Sequence, residues 1–103
     1  MKIIELLSER IDEELCDAKF YIKKAIEYKA EHRALADTFY TISTQEMGHV
    51  DMLHEQVVNL INQYKTANGN PPPEMSALYD YLHKKQIEKA NEVKVYQGMY
   101  KTA

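Results

Sequence analysis

LADTFYTISTQEMGHVDMLHEQVVNLINQY, residues 35–64, decides the fold. Leu35, Phe39, Ile42, Val50, Leu53, Val57, Leu60 and Tyr64 recur at helical spacing, so the stretch reads as one long amphipathic helix with an apolar stripe. At about 100° per residue Glu46 projects near the middle of that stripe, and His49 lies about 60° to one side. An unpaired buried carboxylate is costly. An acid and an imidazole three residues apart, aimed at one interior, suggest a pair of metal ligands.

Working outward, the helix is expected over about 34–65. Upstream, Ile4, Leu7, Ile11, Leu15, Ala18, Ile22, Ala25 and Ile26 share a face and predict a first helix from about Ile3 or Ser8 to Tyr28. Between them Lys29-Ala-Glu-His-Arg33 holds neither glycine nor proline, and one continuous helix is the alternative. A hairpin is favoured because helices beyond fifty residues are rare outside coiled coils, and because the stripe changes phase by about 75° at the junction. Downstream the boundary is explicit. Gly69 suits a left-handed helix end and Pro71-Pro-Pro73 cannot continue one, which makes 66–73 a loop. A third helix then runs over about 74–101, with Met75, Leu78, Tyr79, Leu82, Val93, Tyr96 and Tyr100 on one side. The expected fold is all-α, one domain over 1–103: an antiparallel hairpin plus a third helix.

Composition excludes several classes. The 103 residues are 45% hydrophobic, enough to fill one small core, and the formal charge is −3. Lys and Arg are interspersed with acids, so no basic stripe marks a nucleic-acid binder. No apolar run approaches the roughly 18 residues of a membrane span, and no signal-peptide core is read at the N-terminus, so the expected location is cytoplasmic. Cys16 is the single cysteine, reads as a reduced thiol, and projects away from its helix's stripe.

Glu14 is a second inward acid, about 40° from the centre of the first stripe, whereas Glu13 projects outside. In a hairpin turning near Ala30, Glu14 and Glu46 each lie sixteen residues from the turn and share one layer with His49. Inward carboxylates with a Glu-x-x-His helix form the ligand pattern of di-iron and di-manganese carboxylate bundles, which needs that set twice. This chain carries one set. The third helix is a poor donor, since Glu88 and Glu92 project about 140° and 100° from its stripe. Two chains paired about a two-fold axis would duplicate Glu14, Glu46 and His49 and complete a four-helix-bundle-like site at the interface. Each interface would hold two iron ions, with manganese as the alternative.

Glu13-Glu14-Leu15, Phe20-Tyr21 and Glu46-x-x-His49 resemble the ferritin-like superfamily, most closely the half-length encapsulated ferritins and more distantly the rubrerythrins, over roughly residues 8 to 60. The resemblance implies a ferroxidase centre built by dimerised hairpins. It implies Glu14 as the ligand from helix one, Glu46 as the bridging acid and His49 as the terminal imidazole. Tyr21 corresponds to the aromatic neighbour of the centre, and Glu13 to an outer acid on the path of incoming metal. The partner of that outer acid falls at Cys16, a departure from the pattern. Members packaged in encapsulin shells carry a cargo-loading tail, which Gly98-Met-Tyr-Lys-Thr-Ala103 does not resemble.

The expected function is therefore binding of Fe(II) and its oxidation by dioxygen or peroxide, with Glu14, Glu46 and His49 as the reacting site of a homodimer or larger homo-oligomer. Two other functions fit. One is a non-catalytic oligomerisation or scaffold module whose inward acids are salt-bridged; the other is rubrerythrin-like peroxide reduction, although rubredoxin-type cysteine pairs are lacking. Each residue also has a plainer role. Glu46 and His49 could be a polar pair hydrogen-bonded to Tyr or Lys, Glu14 a salt-bridge acid, and Tyr21 ordinary core. Asp80 and His83 read as a solvated surface pair, His32 as a turn residue, and His54 as marginal to its stripe. Gly48 projects outward in mid-helix, where glycine costs about 1 kcal/mol against alanine.

Overall fold

The computed structural model describes residues Met1–Thr102 as three α-helices: α1 (Lys2–Tyr28), α2 (Arg33–Asn68) and α3 (Pro73–Thr102). Ala103, the last residue of the expected domain and of the tail compared above, lies outside the described residues. The expected hairpin forms. Its turn needs no glycine: Lys29–Glu31 curl tightly, the His32 N–H donates to Tyr28 at 2.8 Å, and α2 starts at once. At the other end of α2, Gly69 takes φ 76 and its N–H donates to Lys65 at 2.9 Å. That backbone region is open to glycine at no steric cost. Pro73 opens α3, where a missing N–H leaves nothing unpaired.

α1 and α2 pack closely because Ala18, Ala25 and Ala36 at their contact are fully buried and admit near approach of the two backbones. Ser43, also fully buried, donates across that contact to the Ala18 carbonyl at 2.8 Å and accepts from Gln97 Nε2 at 3.1 Å. Replacing Ser43 with valine removes this acceptor and adds bulk between the helices. The expected cost is about 2–3 kcal/mol, read as a lowered urea midpoint.

α3 runs parallel to α1. The α-amino group of Met1 donates to the Tyr79 hydroxyl at 2.8 Å, Gln86 Nε2 to Ser8 Oγ at 2.9 Å, and Lys19 pairs with Glu92 at 2.7 Å. The result is an up-down-up bundle measuring 56 × 18 × 17 Å. Two core clusters lie along it. Ile11, Leu15, Ala18, Met47, Val50 and Val93 form one; Ile22, Ala25, Ala36 and Tyr100 form the other, nearer the hairpin turn. No described helix is long and apolar enough to cross a membrane.

The α3 reading needs adjustment in detail. Val93 and Tyr100 are buried as expected, but Leu78 is exposed and Gln86, absent from the expected stripe, is buried. Polar partners on α1, the Ser8 hydroxyl and carbonyl, make that burial affordable.

Near the turn Tyr100 stacks on Tyr40 with ring centres 5.0 Å apart and donates its hydroxyl to Asp37. That hydrogen bond first, and the Arg33 guanidinium after it, hold the Asp37 carboxyl below its ordinary value of 3.8. A depressed carboxyl stabilises the fold above its unfolded pKa and loses that contribution as pH falls through the folded value. Acid unfolding of Asp37→Asn is therefore expected to show a shallower loss of stability below about pH 4 than the parent chain. Because Asp37 is half exposed, the difference is small.

Candidate metal centre

The buried face of α2 is Ala36, Ser43, Met47 and Val50, rotated from the stripe that the sequence suggests. Most of the apolar residues around Glu46, namely Phe39, Ile42, Leu53 and Leu60, are only half-buried, and Leu35 is exposed. On α1 the same holds for Leu7 and Tyr21, one heptad either side of Glu14, which is itself half-buried. These residues flank the α1–α2 contact on the side away from α3. The α1 residues that meet α3, Asp12, Lys19 and Lys23, lie about 140–180° around the helix from Glu14.

Glu14, Glu46 and His49 meet on this open flank, with one ligand atom from each lying within 4.8 Å of the others. His49 Nδ1 is 3.3 Å from Glu14 Oε2 and 3.9 Å from Glu46 Oε2. The carboxylates are largely covered, at 14% and 18% side-chain exposure, whereas His49 is 53% exposed and forms the outer edge. Equal distance from the turn on the two antiparallel helices sets the common height, and heptad-related facing sets the convergence. Two carboxylates and an imidazole form a donor set suited to iron or manganese.

The other candidates divide. Tyr21 sits two turns from Glu14, its ring 5.9 Å from Phe39 and 5.4 Å from Phe20, on the same flank as the cluster. Glu13 is exposed and held by Arg10, which also lies 3.8 Å from Glu14. Arg10, Glu14, His49, Met52 and Leu53 line a shallow open depression. Arg10 has no place in the sequence reading, since its ion pairs depend on side-chain rotamers that a projection cannot show. α3 adds nothing to the cluster, and Glu92 is engaged by Lys19. Cys16 is exposed, as expected, and open space surrounds Gly48.

Asp80 and His83 are both exposed, as the sequence suggests, and the His83 ring lies against His54 of α2. Each residue alone looks peripheral, and only the packing of α3 on α2 brings them together. Comparison with known protein families, characterised proteins and solved structures gives no match to this chain.

Proposed function

We propose that two copies of the chain pair across the open α1–α2 flank, bind Fe(II) between them, and oxidise it in the manner of a ferroxidase. The observation that carries this reading is the convergence of Glu14, Glu46 and His49 on the flank of the hairpin away from α3. A three-residue donor set is half of a two-metal site, and a two-fold interface supplies the other half. Half-buried Leu7, Tyr21, Phe39, Ile42 and Leu53 around it provide apolar surface for such a contact.

In this reading Glu14 and Glu46 neutralise the incoming cations and hold two of them close, while neutral His49 completes each metal's donor set from the rim. Arg10 must swing away from Glu14 as metal replaces it. Two Fe(II) ions each give one electron; dioxygen takes both with two protons and leaves as hydrogen peroxide. Manganese suits the same donors, and peroxide is the alternative oxidant. The cytoplasmic location expected from the sequence remains part of the proposal, as do higher oligomers. A scaffold role, with Arg10 as permanent partner of Glu14, is the competing reading that the 3.8 Å ion pair favours.

The test is to add Fe(II) without oxygen, admit air, and follow ferric absorbance in the near-ultraviolet for the parent chain and Glu46→Gln. Fast oxidation in the parent alone supports the centre; equal rates in both refute it. Sizing with and without iron should show a dimer, and tight binding of two irons by a monomer would overturn the symmetric site.

A further inference from the structure

The two histidines left out of the iron site form a second juxtaposition, at the far end of the α2–α3 contact. His54 Nε2 and His83 Nε2 are 3.0 Å apart, their ring planes differ by 17°, and the ring centres are 4.8 Å apart. Two rings joined end to end by a straight N–H···N bond at that nitrogen distance would place their centres about 5.3 Å apart. The shorter separation means that the ring axes are inclined to the line joining the two nitrogens.

Zinc–imidazole bonds of about 2.0–2.1 Å, spanning nitrogens 3.0 Å apart, subtend about 90–95° at the metal and set coplanar ring centres about 4.7 Å apart. The observed 4.8 Å between nearly parallel rings is close to that separation, so a small rotation of the two side chains brings both nitrogens onto one ion. A right-angled pair is a cis edge of a tetragonal or octahedral site, and opening it slightly gives a tetrahedral one.

We infer that His54 and His83 bind a borderline divalent transition ion, Zn2+ or Ni2+, that clamps α3 onto α2. Imidazole selects these ions over the hard cations held by carboxylate and carbonyl oxygen alone. Water fills the remaining positions, and Asp80, one turn before His83, is among the residues lining the same cavity of about 160 Å³. On its inner side that cavity is walled by Ile4, Ile11, Val57 and Ile61, so the ion is reached from the rim occupied by His83.

A clamp matters here because α3 is held chiefly by α1. Its other polar contacts with α2, Gln97 to Ser43 and Tyr100 to Asp37, lie toward the hairpin turn. His83 to His54 lies toward the 69–72 connection. Metal bound only by the packed arrangement stabilises it by mass action.

The inference is independent of the iron reading, and its test keeps the two apart. Zn2+ and Ni2+ binding is measured by equilibrium dialysis at micromolar protein for the parent chain, Glu46→Gln, His54→Ala and His83→Ala, with helicity checked by circular dichroism. The expected result is one equivalent bound by Glu46→Gln and at least a tenfold weaker affinity at this site in each histidine variant. Metal should also raise the melting temperature of Glu46→Gln and leave that of Glu46→Gln combined with His83→Ala unmoved. Absence of binding to Glu46→Gln, or equal binding when either histidine is removed, overturns the proposal. His83 is exposed, so its truncation leaves the core intact and keeps the comparison valid.

Discussion

Glu46→Gln is expected to slow iron oxidation by at least about a hundredfold, or about 2.7 kcal/mol of activation free energy, while making the metal-free protein more stable. Glutamine keeps the shape of the side chain and removes its charge. Glu46 is largely covered beside a second carboxylate, with the His49 ring nitrogen 3.9 Å away and no cation beside it among the described residues, whereas Glu14 has Arg10 at 3.8 Å as well as His49 at 3.3 Å. Without metal, the less compensated acid costs stability through desolvation and repulsion from Glu14. The melting temperature of the metal-free variant should rise by a few degrees, and the stabilisation that iron gives the parent should vanish. A site kept for binding at the expense of stability behaves in this way. A scaffold acid gives the opposite signs: replacement destabilises, and iron changes nothing. Thermal melts with and without Fe(II) under nitrogen, alongside the oxidation rate, separate the two.

Leu15→Ala should be the most damaging single truncation, costing about 3 kcal/mol. Leu15 is 2% exposed and sits among Ile11, Ala18, Met47, Val50 and Val93, where all three helices meet. Side chains from each helix wall the resulting void, so collapse around it is restricted and the cavity cost adds to the lost transfer energy. Against a total of about 5–15 kcal/mol that is a large share. Urea titration reads the loss as a lowered midpoint with an unchanged slope if the fold stays two-state. A loss below about 1 kcal/mol would mean that the bundle repacks around the void and that the core is not fixed as described.

The helices and the Glu14–Glu46–His49 cluster were largely legible in the sequence because both depend on spacing along a regular element. Periodicity places Ile4, Ile11, Leu15, Ala18 and Ile22 on one face, and all are buried. Glu14 and Glu46 meet at one height because each is sixteen residues from a turn that lies where the phase of the stripe changes. Residues whose partners lie on a third element were not legible. Gln86 is polar by type, yet buried against Ser8; Arg10 reaches Glu14, a pairing that no projection shows; and His83, exposed as expected, meets His54.

By itself, then, the sequence determined three helices, their explicit break at Gly69 and Pro71–Pro73, and the convergence of Glu14, Glu46 and His49, whereas the interior expected around them is an open flank with His49 exposed. Local backbone preference and the 3.6-residue period suffice for that. The tertiary structure alone decided which flank of the hairpin α3 covers. Amphipathicity says that a helix must bury a face but not against whom, and the stripe of α2 is wider than the contact with α1 uses. Docking α3 beside Asp12, Lys19 and Ser43 left the Glu14–Glu46 flank open and brought His54 to His83.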